Sequence, residues 1–202
     1  MGTVLLARHG ETTWNREGRI QGWADATLTD RGREQTRALA DRLGARDLDQ
    51  VVASDLVRTR ETVETLRDAG VECDPSFSRA WRERDFGEYQ GLTRTAIAAR
   101  HRAYHVEESL LAVRSVPRGE SLAAFDERVR EGWERLRGRL AVDETALVVT
   151  HGGPIRAVLA AVNDRELADV ARECSPSNCG VTVLEPDGDR TRVRARDDCA
   201  HL

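Results

Sequence analysis

Two short apolar runs, Thr3–Arg8 and Thr145–Thr150, do most to limit what this chain can become. Each is continuously apolar rather than alternating, rich in valine and leucine, and too short for a buried helix. That combination reads as a strand covered on both faces. Strands of this kind belong to parallel sheets with helices above and below, which sets aside helix bundles and two-sheet sandwiches. The two runs also end alike, one in Arg8-His9-Gly10 and the other in His151-Gly152-Gly153.

The rest of the chain alternates strand and helix signals around those runs. Thr29 is placed to cap a helix running to about Leu43, with Gly44 as its stop. Gln50 to Ser54 forms a second strand. Asp55 is expected to cap the following helix, which turns Leu56, Val63 and Leu66 inward and stops at Gly70. The clearest helical stripe starts at Ser121 and carries Leu122, Phe125, Val129, Trp133, Leu136 and Leu140 on one face. Pro154 falls in the first turn of a helix that continues from Ile155 to Val162. Cys179 to Leu184 and Thr191 to Arg196, joined around Asp187-Gly188, form a closing hairpin that adds an antiparallel edge. Leu92 to Arg118 breaks the pattern, with weak periodicity and many charges. The expected architecture is α/β: a three-layer α/β/α sandwich with a mostly parallel central sheet, one domain over 1–202 with a small helical cap inserted at 92–118.

Composition removes several functions. All 31 basic residues are arginine, so no P-loop lysine and no Schiff-base lysine exists. Any anion bound here must be held by guanidinium forks and backbone amides. The net charge of −4 gives no general field for a nucleic-acid backbone. No apolar stretch approaches membrane-spanning length, and Val4 to Ala7 is far shorter than the core of a signal peptide. The four cysteines form no CxxC pair, although Cys174 and Cys179 lie near enough in sequence to meet. A cytoplasmic protein without nucleic-acid or membrane partners is expected, with a homodimer allowed for.

Ligands of open α/β sheets bind beyond the carboxyl ends of the strands, where His9 and His151 both fall. The glycine after each histidine lets a ligand approach the backbone, and Gly152-Gly153 before Pro154 offers the positive end of a helix. Arg8 adjoins the first histidine, and Arg58 lies one turn into the helix after the Ser54 strand. Histidines among arginines suit phosphoryl transfer, which needs a nucleophile and positive groups around the equatorial oxygens. No HExxH and no histidine-cysteine cluster at zinc spacing occurs, and His101 and His105, four residues apart, lack carboxylate partners at ligand spacing. No metal and no cofactor is expected.

These residues fall into a longer series. Arg8-His9-Gly10-Glu11, Asn15, Gln21-Gly22-Trp23, Ser54-Asp55-Leu56 with Arg58, Glu83-Arg84, Phe86-Gly87, Gln90-Gly91-Leu92, Gly119-Glu120-Ser121 and His151-Gly152-Gly153 follow one another in order. From about Val4 to Ala160 the chain resembles the histidine phosphatase superfamily, in its phosphoglycerate mutase-like branch. The resemblance implies that His9 becomes phosphohistidine, that Arg8, Arg58 and His151 line the phosphate pocket, and that Glu83 is the general acid. It also implies Asn15, Gln21, Gly22, Arg84 and Gly152 around the substrate, a small phosphorylated metabolite. Mutases of this family use a lysine and a tyrosine on the substrate. This chain has no lysine, and Phe86 stands at the tyrosine position, which favours metal-independent phosphomonoester hydrolysis over mutase activity. A weakly catalytic interaction module of the same fold is the other alternative. Arg84, Arg94, Arg100, Arg102 and Arg114 are available to an acidic substrate, while Trp14, Trp23, Trp81, Tyr89 and Tyr104 could offer aromatic faces.

Overall fold

A computed structural model describes residues 2–44, 46–100, 109–187 and 190–202. His101, Arg102, Tyr104, His105 and the tip of the last hairpin lie outside the described residues. In chain order the elements are β1 (Thr3–Arg8), α1 (Thr13–Arg16), α2 (Asp30–Leu43), β2 (Gln50–Ala53), α3 (Val57–Asp68), β3 (Pro75–Phe77), α4 (Arg94–Arg100), α5 (Leu122–Arg137), β4 (Thr145–Thr150), α6 (Gly152–Val162), α7 (Leu167–Glu173), β5 (Val181–Asp187) and β6 (Arg190–Asp198). They build one sheet in the order β3-β2-β4-β1-β5-β6. Strands β3, β2, β4 and β1 run parallel, while β5 and β6 add the antiparallel edge.

The two apolar runs lie side by side at the centre. Val4, Leu6, Ala146 and Val148 enter one core with Phe125, Val129 and Trp133 of α5 and Ile155 and Val158 of α6. Leu5, Ala7, Leu147 and Val149 enter the other, against Leu39 and Leu43 of α2 and Val63 and Leu66 of α3. Alternate residues of each strand thus feed opposite layers, which is why the runs had to be apolar throughout. Ile97, Leu110, Leu111 and Val116 from the segment read as a cap join the first core, so its flanks are anchored in the body of the protein.

Local chemistry sets the helix ends. Thr29 accepts from the Gly32 amide and Ser121 from the Ala124 amide, each at the start of its helix. Gly44 closes α2 with φ at +58°, a left-handed conformation that favours glycine. Asp55 corrects the sequence reading. The N-cap of α3 is Leu56, which has no side-chain cap, and the Asp55 carboxylate takes a two-pronged pair from Arg82 at 2.6 and 2.7 Å. The bidentate guanidinium offers two charge-assisted bonds, where a cap would offer one. That pair holds the Asp55 carboxyl below its usual range and is the first step in positioning the loop that carries Glu83.

Candidate active site

Strands β1 and β4 pair in a register that sets Arg8 opposite Thr150, so the next residues, His9 and His151, leave the sheet together. The His9 amide donates to the Thr150 carbonyl at 3.0 Å. Their rings meet edge to face with centroids 5.2 Å apart. His9 Nδ1 lies 2.7 Å from the Gly10 carbonyl. A carbonyl can only accept, so Nδ1 carries the proton and Nε2 keeps its lone pair. Burial, with the charges of Arg58 and Arg8, pushes the His9 pKa well below 6.5. The imidazole is therefore neutral at neutral pH.

His151 is oriented by the same logic. Arg58 Nε donates to His151 Nδ1 at 3.1 Å, so the proton sits on Nε2 and points to Ser54 Oγ at 2.8 Å. Burial first, then Arg58, His9 and Arg8, keeps its pKa well below 6.5 as well. Both ring nitrogens are thus used by the protein, and the ring stands behind the cavity, where it fixes Arg58. Arg58 also donates to the carbonyls of Gly22 at 2.7 Å and Ala24 at 3.2 Å. A guanidinium has five N–H groups, so two remain for a ligand. Burial pulls its pKa down to about 10, and Glu83 opposes that shift, which leaves Arg58 a cation at neutral pH.

Arg8 donates to the Pro176 carbonyl at 2.6 Å, while its Nε is buried with no partner among the described residues. Glu83 accepts from its neighbour's amide, Arg84 N, at 2.9 Å and from Gly153 N at 3.0 Å. A Cβ at residue 153 would lie 1.9 Å from Glu83 Oε1, so only glycine lets this carboxylate reach the head of α6. The loop beneath Glu83 is clamped. Trp23 Nε1 donates to the Glu83 carbonyl at 2.7 Å. Arg128 grips Glu120 with two bonds of 2.8 and 2.7 Å and reaches the carbonyls of Arg79, Ala80, Arg82 and Glu83 at 3.0 to 3.3 Å.

Arg8, His9, Asn15, Gln21, Gly22, Arg58, Glu83 and Gly152 all line one cavity of about 230 Å³. Asn15 turns its Oδ1 to Thr12 and Asn178, and Gln21 Oε1 is buried without a partner among the described residues. Arg84 departs from the expectation that it binds substrate. It is completely buried, and its guanidinium donates to the carbonyls of Leu111, Val113, Arg114 and Glu120. Those acceptors take up the donors that a substrate would need, so Arg84 ties the 110–120 segment down. Trp81 and Tyr89 are core residues, and the guanidiniums of Arg79 and Arg82 lie over the Trp23 ring at 5.4 and 4.7 Å. Sequence reading passed over Asn178, whose Nδ2 donates to the His9 carbonyl at 2.9 Å, and Arg156, which lines the cavity. The spacing of four from Gly152 to Arg156 was the available signal, because it puts both on one helix face.

Among the described residues there is no group of three or more His, Cys, Asp or Glu that could hold a metal ion, and no helix long and apolar enough to cross a membrane. The profile of the histidine phosphatase superfamily (branch 1) matches residues 4–198. The chain belongs to that superfamily. It is 33% identical to phosphoglycerate mutase-like protein 4 of Arabidopsis thaliana over 98% of this chain and 86% of that protein. Bacillus stearothermophilus YhfR shares its structure with a TM-score of 0.89 at 30% identity, covering 100% of this chain and 99% of that one. A mycobacterial glucosyl-3-phosphoglycerate phosphatase superposes with a TM-score of 0.84 at 28% identity, covering 98% and 99%. As a member of that superfamily, the chain carries its two histidines at the ends of neighbouring strands of a six-stranded sheet.

Proposed function

We propose that this chain is a phosphatase that hydrolyses a small phosphomonoester through phosphohistidine at His9, without a metal ion. The observation that carries this reading is the fixed tautomer of His9. Its Nδ1 is committed to Gly10, so the Nε2 lone pair is the nucleophile in a cavity bordered by Arg8, Arg58 and the amide end of α6. In the first step Nε2 attacks phosphorus, the P–O ester bond breaks in line, and Glu83 gives its proton to the departing alkoxide. The guanidiniums and the helix end balance the charge on the three equatorial oxygens. In the second step water attacks the phosphohistidine, the P–N bond breaks, and the Glu83 carboxylate takes the proton from water.

Hydrolysis is favoured over transfer to a second hydroxyl because Phe86 borders the cavity where a mutase would place a phenol. A cavity of about 230 Å³ suits a metabolite rather than a macromolecule. Four unpaired thiols support a cytoplasmic setting. The test is a panel of phosphorylated metabolites assayed for released phosphate with and without chelator, beside 3-phosphoglycerate primed with 2,3-bisphosphoglycerate. Phosphate release that survives chelation is expected. Faster appearance of 2-phosphoglycerate than of phosphate would assign the chain to the mutases instead.

A further inference from the structure

We propose that the cavity contains a second anion-binding subsite built on Arg156, so that the preferred substrate carries another negative group beside its phosphate ester. The proposal rests on the phosphoryl-transfer reading and specifies the class of substrate. Arg156 sits on α6 one turn beyond Gly152, and helical side chains lean back toward the N-terminus, which brings its guanidinium to the cavity near Arg8. Its Nε is buried without a partner, as is that of Arg8, and Arg156 makes no ion pair among the described residues. The contrast with Arg82 and Arg128 is plain, since each of those has a carboxylate in a bidentate grip. The charge of Arg156 even works against Arg8. Burial lowers the Arg8 pKa, Glu83 raises it, and Arg156 lowers it again.

Charge balance turns this into a statement about the ligand. Five arginines border the cavity against one carboxylate, Glu83. Arg19 is neutralised by Glu17 at 2.6 Å, and Arg94 is already engaged by the protein. Arg8 and Arg58 flank His9 and serve the phosphoryl group in transit. Among the described residues Arg156 remains a cavity cation without a counter-ion, and Ser175 borders the cavity as well. Ile20, Phe86, Leu110 and Leu111 form an apolar portion of the lining, so a second charged group is drawn toward Arg156.

Two matched pairs of esters test the subsite: glycerol 3-phosphate against 3-phosphoglycerate, and the monophosphate of propane-1,3-diol against its bisphosphate. The native protein is expected to prefer the doubly anionic member of at least one pair by tenfold or more in kcat/KM. The pair that shows it distinguishes a carboxylate from a second phosphate. Arg156→Gln should shrink that preference at least fivefold, chiefly through KM, and Arg156→Lys should restore part of it. Equal losses on both members of a pair would assign Arg156 to the ester phosphate itself and overturn the proposal, as would a native protein without preference. Calorimetric binding of the same pairs to His9→Ala protein, with and without Arg156→Gln, reads the subsite when nothing turns over. If the native protein releases phosphate from no ester and forms no phosphohistidine, the hydrolytic reading fails while this binding arm still decides the subsite.

Discussion

At the histidine end of the cavity, His9, His151 and Arg58 are bound to the protein through Gly10, Ser54, Gly22 and Ala24. Elsewhere in its lining, Arg156 Nε and Gln21 Oε1 are buried with no partner among the described residues. The contrast separates two tasks. Groups that must act on a changing charge are immobilised beforehand, so little reorganisation is needed when the reaction occurs. Arg156 and Gln21 keep hydrogen-bonding capacity unspent for a ligand, and Arg8 beside His9 does the same with its Nε.

The strongest break of this contrast is His9→Ala, which should abolish both phosphoenzyme and phosphate release. Mass spectrometry of protein quenched during turnover checks it, and near-native rates would remove the mechanism. Next comes Arg58→Ala, expected to cost on the order of 2–4 kcal/mol in kcat/KM, as for the loss of one preorganised donor. Because Arg58 holds the His151 ring, the double variant with His151→Ala should lose less than the two single losses combined. Additive losses would show that the contact contributes nothing.

Glu83→Gln should slow esters of poor leaving groups far more than p-nitrophenyl phosphate, which needs little protonation. Arg128→Lys should repeat that selectivity more weakly, by about tenfold or about 1.4 kcal/mol, because a single ammonium cannot serve Glu120 and four carbonyls together. A loss independent of the leaving group would mean that Arg128 supports only the fold.

Proton linkage offers a subtler probe. In the folded protein His9 and His151 have pKa values well below 6.5, so the unfolded chain binds more protons as pH drops under that value. Their contribution to stability is complete above about pH 6.5 and is lost as pH falls toward the folded pKa values, at up to about 1.4 kcal/mol per pH unit for each imidazole. Urea midpoints measured from pH 7 to 5 should show the decline, and His151→Gln should flatten it. The smallest effect belongs to Arg42→Gln at the partly exposed pair with Asp198, far from the chemistry. It should change stability by no more than about 1 kcal/mol and leave turnover alone.

Much of the fold was legible because its determinants are local. Six consecutive residues announce β1, and a threonine or serine at the right place announces the starts of α2 and α5. What escaped depends on partners distant in the chain. Asp55 looked like a cap until Arg82, 27 residues on, claimed its carboxylate. Strand β3 has three residues and α7 seven, too few to carry a periodic signal. The site shows the same division. The motif placed His9, Arg8, Arg58 and Glu83 around one cavity, yet it could not say where a given guanidinium would point. Arg84 ended on backbone carbonyls, whereas Arg156, outwardly an ordinary helix arginine, reached the cavity.

The pairing of Arg8 with Thr150 has a wider consequence. Two hydrogen-bonded strands bring the histidine couple together, and Gly10, Ser54 and Arg58 orient its rings. Among the described residues, the remaining excursions between the strands make no contact with either ring that sets this alignment. Lengthening, trimming or replacing those remaining excursions would therefore retarget the molecule to new compounds while its reactive couple stayed intact. A slip of one residue between those strands would separate the couple, even with every side chain of the motif still present.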